Sequence, residues 1–262
     1  MTTDPITDEV PRFDLEGRTA LVTGSARGLG RAIAFALAVA GAEVALGVRR
    51  AGTAGELLGR IEAMGRRAVE VAMDVADLAQ VERGVHEAAR ALGRLDILVN
   101  NAGIAPGNPA EDVTVGDFDA TLAVNVRGTF FACQHAGRLM LEQGFGRIVN
   151  VSSQAGLIAL PGESVYCMTK AALIELTRCL AVEWGERGIT VNAVAPTFIE
   201  TPGTEPALSD PAFRADVEER IAALHRIGRP VDVAGAVVYL CSPAASLVTG
   251  HTLVVDGGWT AR

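Results

Sequence analysis

The 262-residue chain is poor in aromatic side chains, with eight Phe, two Tyr and two Trp making up 5% of it. A core built without them relies on small aliphatic residues, and 29 glycines point the same way, towards helices packed closely on a sheet. The chain also lacks a basic excess. Its 23 Lys+Arg against 31 Asp+Glu give a net charge of −8 and a pI near 5.1, which excludes the positive face that nucleic-acid phosphates require. Cysteine is scarce: Cys133, Cys167, Cys179 and Cys241 stand far apart, with no C-x-x-C pair and no metal-ligand spacing to a histidine. Reduced thiols packed as small hydrophobes are therefore expected, and no metal site. No uncharged apolar run reaches the ~18 residues of a membrane span. The first sixteen residues are acidic and carry Pro5 and Pro11, without the basic-then-apolar order of a signal peptide. A soluble cytoplasmic protein with no membrane partner is expected.

What is present is an alternation. Short apolar runs at 19–22, 43–48, 68–73, 96–99, 147–151, 190–193 and 252–255 read as strands. Between them, helical spacing occupies 31–40, 54–64, 78–92, 115–142 and 165–187. Strands this short, apolar throughout and joined by helices belong to a parallel sheet, and right-handed crossovers place the helices on both faces. The expected fold class is α/β: a single-domain, Rossmann-like doubly wound parallel sheet spanning 17–262, preceded by a tail over 1–16. In the one long interruption, Pro202, Pro206 and Pro211 break any continuous element, so a substrate lid is expected over about 197–226.

The first strand runs into Thr23-Gly24-Ser25-Ala26-Arg27-Gly28-Leu29-Gly30 and then directly into a helix. A chain that bends sharply there needs residues without Cβ, and main-chain N–H groups at a helix N-terminus attract a pyrophosphate. The spacing is Gly-x-x-x-Gly-x-Gly rather than the commoner Gly-x-Gly-x-x-Gly. Further along, Tyr166 and Lys170 stand four apart in a helical stretch and share a face. A free phenol titrates near 10, and a neighbouring ammonium favours the phenolate, so Lys170 is expected to lower the proton affinity of Tyr166. Ser153 follows the end of a strand, where open α/β sheets place their ligands. No histidine pairs with it in a hydrolase-like motif, so it is not read as an acyl nucleophile.

The glycine turn resembles that of the short-chain dehydrogenase/reductase family, and the likeness continues from about Leu15 to Trp259. Asn100-Asn101-Ala102-Gly103, Asn125 within Asn-Val-Arg-Gly, Ser153 before Gln-Ala-Gly, and Tyr166-Cys-Met-Thr-Lys170 all stand in the family's order. The resemblance implies hydride transfer between a nicotinamide and a ketone or secondary alcohol, with catalytic residues Asn125, Ser153, Tyr166 and Lys170. The family's thirteen-residue separation from Ser to Tyr selects Ser153 over Ser152. Tyr166 would serve as acid in reduction and base in oxidation, Ser153 would hold the substrate oxygen, and Lys170 would bond the nicotinamide ribose. Asn125 would support a water that relays protons to Lys170. Cofactor contacts are implied at Gly24, Ser25, Arg27, Gly28, Leu29, Gly30, Asp74, Val75, Asn101, Ala102, Gly103, Val124, Pro196, Ile199 and Thr201, besides Tyr166 and Lys170. A homotetramer built on the helices at 115–142 and 165–187 is implied as well.

The residue after the second strand separates the two dinucleotides. The family's NAD-selecting acid is replaced here by Val48, and Arg49 follows at once, with Arg27 in the glycine turn as a further cation. Arginine suits a 2′-phosphate, so NADP(H) is expected ahead of NAD(H). The family's Pro-Gly after the sixth strand is Pro196-Thr197 here, and a β-branched Thr197 requires ordinary dihedrals. Gln154, Thr197 and Phe198 are the expected substrate contacts, with Ile104, Cys167, Leu208 and Phe213 as further candidates and Arg214 or His225 able to reach in from the lid. Sugars, polyols, small ketones and 3-oxoacyl groups all stay open as substrates. The rival reading is a dinucleotide-sensing regulator without catalysis, against which an intact Ser153, Tyr166 and Lys170 speak.

Overall fold

The computed structural model describes residues 10–261. Period-two alternation sorts each strand between two cores. In β1 (Thr19–Thr23), Ala20 and Val22 join the cluster on one face and Leu21 the cluster on the other. The same division holds for β2 (Glu43–Val48), with Val44, Leu46 and Val48 against Ala45, and for β4 (Ile97–Asn100), with Ile97 and Val99 against Leu98. With β3 (Ala68–Ala72), β5 (Gly146–Val151), β6 (Ile189–Pro196) and β7 (Thr252–Val255), the described residues form one seven-stranded parallel sheet in the order β3-β2-β1-β4-β5-β6-β7. The order reverses between β1 and β4, which opens a crevice at the carboxyl ends of these two strands.

Helices cover both faces. One face carries α1 (Gly28–Val39) and α2 (Gly55–Glu62). The other carries α3 (Leu78–Leu92), where Asp77 caps the amides of Ala79 and Gln80 at 2.9 and 3.2 Å and Val81, Val85, Ala88 and Leu92 form the buried stripe. The helix expected over 115–142 is interrupted. It consists of α4 (Val115–Leu122), a π-helical segment over Ala123–Gly128, and α5 (Thr129–Gln143). After β5 comes α6 (Ser164–Trp184), which packs beside α5.

The lid is more ordered than its prolines suggest. Pro206 and Pro211 stand in the first turns of α7 (Glu205–Leu208) and α8 (Pro211–Arg220), where a missing N–H costs nothing. These prolines start helices rather than break them. Leu208, Val217, Ile221, Ile227 and Trp259 form a small core of their own. Phe198 stacks on Trp259 at 5.8 Å and meets Phe213 edge-on at 5.6 Å. An additional helix, α9 (Pro230–Cys241), lies on the α1 face; it begins at a proline and buries Val233, Ala234, Val237 and Leu240.

Of the tail expected over 1–16, residues 1–9 lie outside the described residues. Leu15 is buried in the core, and the Arg12 carbonyl accepts from the Ala244 amide. All four cysteines are free; Cys133 and Cys241 are buried, and burial pushes their thiols up to about 12, whereas Cys167 is half-buried and Cys179 exposed. No helix among the described residues is long and apolar enough to cross a membrane.

Candidate active site

The crevice is lined first by the glycine turn. Gly24 and Gly28 adopt φ of +67° and +56°, a region that favours glycine. Gly30 lies so close to the Gly24 carbonyl and the Asn101 amide that a Cβ would collide with both. The turn is clamped from within. The Thr23 hydroxyl accepts from the amides of Asn101 (3.0 Å) and Ala102 (3.1 Å), and Asn101 Nδ2 donates to the Thr23 carbonyl at 3.0 Å. Ser25 turns inward, its amide and hydroxyl both donating to the Gly47 carbonyl at 3.1 and 3.2 Å, so it holds the turn and has no free hydroxyl for a ligand. No side chain caps the N-terminus of α1, whose first-turn amides stay available to an anion. This cradle fits a dinucleotide pyrophosphate.

Beside the turn lies a cavity of about 730 Å3. It brings together Arg27, Leu29, Asn101 and Gly103 on one side with Ser153, Gln154, Tyr166, Lys170, Pro196, Thr197, Phe198, Ile199 and Thr201 on the other. Ala102 and Val124 are half-buried near it without lining it, and Asn125 is fully buried below. Arg49, Asp74 and Val75 sit at the ends of β2 and β3, outside the cavity. The Asp74 carboxylate accepts from the Ala76 amide at 3.0 Å. Arg49 is exposed, and among the described residues no ion pair holds Arg27, Arg49 or Arg50.

Tyr166 and Lys170 share one face of α6, with Lys170 Nζ 5.4 Å from the centre of the phenol ring. Lys170 is the only lysine of the chain. It is 4% exposed, and its ammonium donates to the Val151 carbonyl at 2.7 Å. Burial brings it down to about 8. The expected lowering of the Tyr166 phenol by Lys170 is not found with protein groups alone around it. Burial pushes the phenol up to about 12, and the hydroxyl of Ser153 facing it pulls the other way without prevailing. Ser153 is held by the Ala155 amide, which donates to its Oγ at 3.1 Å.

Asn125 occupies the π-helical segment and is spent on other groups. Its Oδ1 accepts from the Ile104 amide at 2.9 Å, and its Nδ2 donates to the Ile104 carbonyl at 2.9 Å and the Thr169 hydroxyl at 3.1 Å. Thr169 in turn donates to the Tyr166 carbonyl at 2.8 Å, so Asn125 is tied to the turn that carries the phenol. A Cβ on Gly103 would stand 3.4 Å from Asn125 Oδ1 and 3.6 Å from Lys170 Nζ, which places both groups beneath that glycine.

On the lid side the expectations divide. Thr197 takes ordinary dihedrals; His225 is the one non-glycine residue at positive φ among those described. Gln154, Thr197, Phe198 and Ile104 line the cavity, but Leu208 and Phe213 belong to the lid's apolar core and Cys167 lines nothing. Arg214 and His225 do not reach in. Arg214 pairs with Glu200 at 2.7 Å and Glu218 at 3.0 Å, and exposed His225 sits against the Glu218 carbonyl. Sequence reasoning missed two acids of the cavity wall, Glu163 and Asp117. It also missed a grouping outside the cleft, in which donor atoms of Glu82, His86 and His135 lie within 4.8 Å of one another. Only the Glu-x-x-x-His spacing on α3 hinted at it.

The arrangement can hold an oxygen at Ser153 and move a proton at Tyr166 beside a pyrophosphate cradle. Comparisons with known proteins point to an oxidoreductase. A family model described as enoyl-(acyl carrier protein) reductase matches residues 24–260. D-threitol dehydrogenase of Mycolicibacterium smegmatis is 41% identical over 250 residues, 95% of either chain. The structure of a dehydrogenase/reductase from Sinorhizobium meliloti 1021 superposes with a TM-score of 0.88 at 43% identity, covering 95% of this chain and 97% of that one. A gluconate 5-dehydrogenase from Burkholderia cenocepacia J2315, in complex with NADP and tartrate, superposes with a TM-score of 0.92 at 37% identity, over 96% and 98% of the two chains. The chain belongs to the short-chain dehydrogenase/reductase family and is a nicotinamide dinucleotide-dependent oxidoreductase acting on CH–OH groups.

Proposed function

We propose that the protein interconverts a secondary alcohol and a ketone of a polyol or sugar with NADP(H), using Tyr166 as the proton-exchanging group. The observation that carries this reading is one cavity lined by Ser153, Tyr166 and Lys170, with the uncapped N-terminus of α1 beside it. The bound nicotinamide supplies or accepts the hydride and, when oxidised, brings a positive charge. Ser153, its Oγ fixed by the Ala155 amide, holds the substrate oxygen. Tyr166 gives that oxygen a proton in reduction and removes it in oxidation. The Lys170 ammonium, anchored on the Val151 carbonyl, would bond the ribose hydroxyls. Asn125 fixes the loop at Ile104 and backs a water path to Lys170.

The preference for the phosphorylated dinucleotide rests on Arg49 and Arg27, both exposed and free of ion pairs among the described residues. The gluconate 5-dehydrogenase neighbour with bound NADP supports it. The polyol or sugar class is supported by that neighbour and by the D-threitol dehydrogenase relative. Exposed Phe130, Met168 and Val182 on α5 and α6 support assembly into a homotetramer, and four unpaired cysteines favour a reducing cytoplasm. The test is a comparison of kcat/KM for NADP+ and NAD+ with polyols, in the wild type and Arg49→Ser. NADP+ is expected to lead by about tenfold or more, and Arg49→Ser to remove most of that lead, as loss of one charge-assisted contact predicts. A clear NAD+ preference in the wild type contradicts the assignment.

A further inference from the structure

The wall of the cavity around Tyr166 carries polar atoms that the protein leaves unused. Gln154 is 1% exposed, yet its Oε1 has no hydrogen-bond partner; the same is true of Glu163 Oε2 and Thr197 Oγ1. All three residues line the cavity that Ser153 and Tyr166 line. Buried polar atoms are almost always paired, so three orphans on residues that line one cavity call for partners that a bound ligand supplies once these side chains turn toward it.

The charges on that wall decide which ligand. Glu163 precedes α6 by one residue, is half-buried and has no cation beside it; burial holds its carboxyl above the usual carboxylate range. Asp117 adds a second acid at the rim. Of the two cations that line the cavity, one is spent within the protein and the other is the Arg27 assigned above to the dinucleotide phosphate. Lys170 is anchored on the Val151 carbonyl, and Arg27 belongs to the exposed glycine turn. Arg214 on α8 is turned away into its pairs with Glu200 and Glu218. A substrate carboxylate offers only acceptors and brings a like charge beside Glu163 and Asp117; an aldonate still has hydroxyls for the orphan atoms, so it is its charge that this lining disfavours. A chain of hydroxyls offers donors to Glu163 and Gln154 and either role to Thr197. A lone ammonium would satisfy the carboxylate but not the two neutral groups.

We propose that Glu163, Gln154 and Thr197 form a hydroxyl-reading subsite that selects uncharged polyols and excludes carboxylate-bearing sugars such as aldonates. This deepens the proposed function and rests on it. It separates two substrate types that bear on the chain through similar proteins, one a threitol dehydrogenase and one a gluconate dehydrogenase. Glu163 and Gln154 act on binding; the charge of Glu163 also raises the Tyr166 phenol, so rates are compared on the high-pH plateau, where that effect drops out.

The experiment measures initial rates of oxidation of D-threitol, erythritol and D-gluconate, and of reduction of 2,3-butanedione, which has no hydroxyl to read. The tetritols are expected to exceed D-gluconate in kcat/KM by about 100-fold, as a site that bonds hydroxyls and repels charge predicts. Glu163→Gln should raise the tetritol KM about tenfold with kcat changed by about twofold or less, and should narrow the tetritol-to-gluconate ratio at least about tenfold. Its melting temperature and NADPH fluorescence report whether it is folded. Gln154→Leu, which should raise the tetritol KM without helping gluconate, is the second variant. Equal use of gluconate and tetritols by the wild type, or an unmoved ratio in Glu163→Gln, overturns the subsite. Turnover of 2,3-butanedione without a tetritol preference overturns the subsite and leaves the function standing, whereas no turnover of any of the four removes both.

Discussion

The two walls of the cleft are built on opposite rules. On the glycine-turn wall the small polar side chains that shape the turn are spent inside the protein. Thr23 bonds Asn101 and Ala102, Asn101 bonds Thr23, and Ser25 bonds Gly47. What is left for a ligand is the open N-terminus of α1 and the exposed Arg27. On the β5–β6 wall, Gln154, Glu163 and Thr197 are unspent. A wall that receives an invariant pyrophosphate needs only rigid amides, whereas a wall that distinguishes substrates must keep side-chain atoms in hand. Tyr166 and Lys170 stand on α6 where the two walls meet.

The comparison breaks most visibly at that junction. Tyr166→Phe removes the proton donor and nothing from the cradle. A kcat loss of about a thousandfold or more is expected with the NADPH dissociation constant nearly unchanged, read by steady-state kinetics and fluorescence titration. Retained turnover would assign the proton to another group. Gly30→Ala attacks the rigid wall instead. Its methyl would collide with the Gly24 carbonyl and Asn101, so the turn must open. Overpacking of this kind costs about 1–3 kcal/mol, and cofactor affinity should fall by about tenfold or more while the lid's apolar core is untouched. An unchanged dissociation constant would contradict the close fit.

Smaller, and confined to the junction, is the pH dependence of stability. Lys170 falls from 10.5 to about 8 on burial. Between those values the unfolded chain binds more proton than the folded one, so stability rises with pH from about 8 to 10.5 and is flat below. Tyr166, raised from 10.0 to about 12, acts in the opposite direction only above pH 10. Melting temperatures at pH 8, 9 and 10 without dinucleotide should show the wild type gaining on Lys170→Met as pH rises. Because the chain has no second lysine, a constant difference would mean that the ammonium is not buried as described.

The legible parts of this protein were those where few residues can do the job. Strand-helix alternation and the glycine turn carry their own physical signatures, and Ser153, Tyr166 and Lys170 are picked out by the order and separation that the family resemblance implies. The π-helical segment was not legible, because Val124, Asn125, Val126 and Arg127 continue a helical pattern; a feature of its packing, the clamp of Asn125 on Ile104, lies 21 residues away in the chain. Nor was α9, whose apolar stretch after Pro230 lacks the polar face that marks a surface helix. Glu163 carries no motif in the sequence and stands out only once the fold encloses it beside Tyr166. The Tyr166 phenol was misjudged in sign because spacing reveals a neighbouring ammonium but not burial.

The central claim is that a titrating phenol on α6 takes the substrate's proton. The pH dependence of kcat/KM for polyol oxidation tests it most directly, with the cofactor saturating. The account predicts activity that is lost as pH falls through one ionisation lying below the value of about 12 set by burial alone, brought down by the cofactor's positive charge. A rate independent of pH between about 6 and 10, with oxidation otherwise intact, would contradict it.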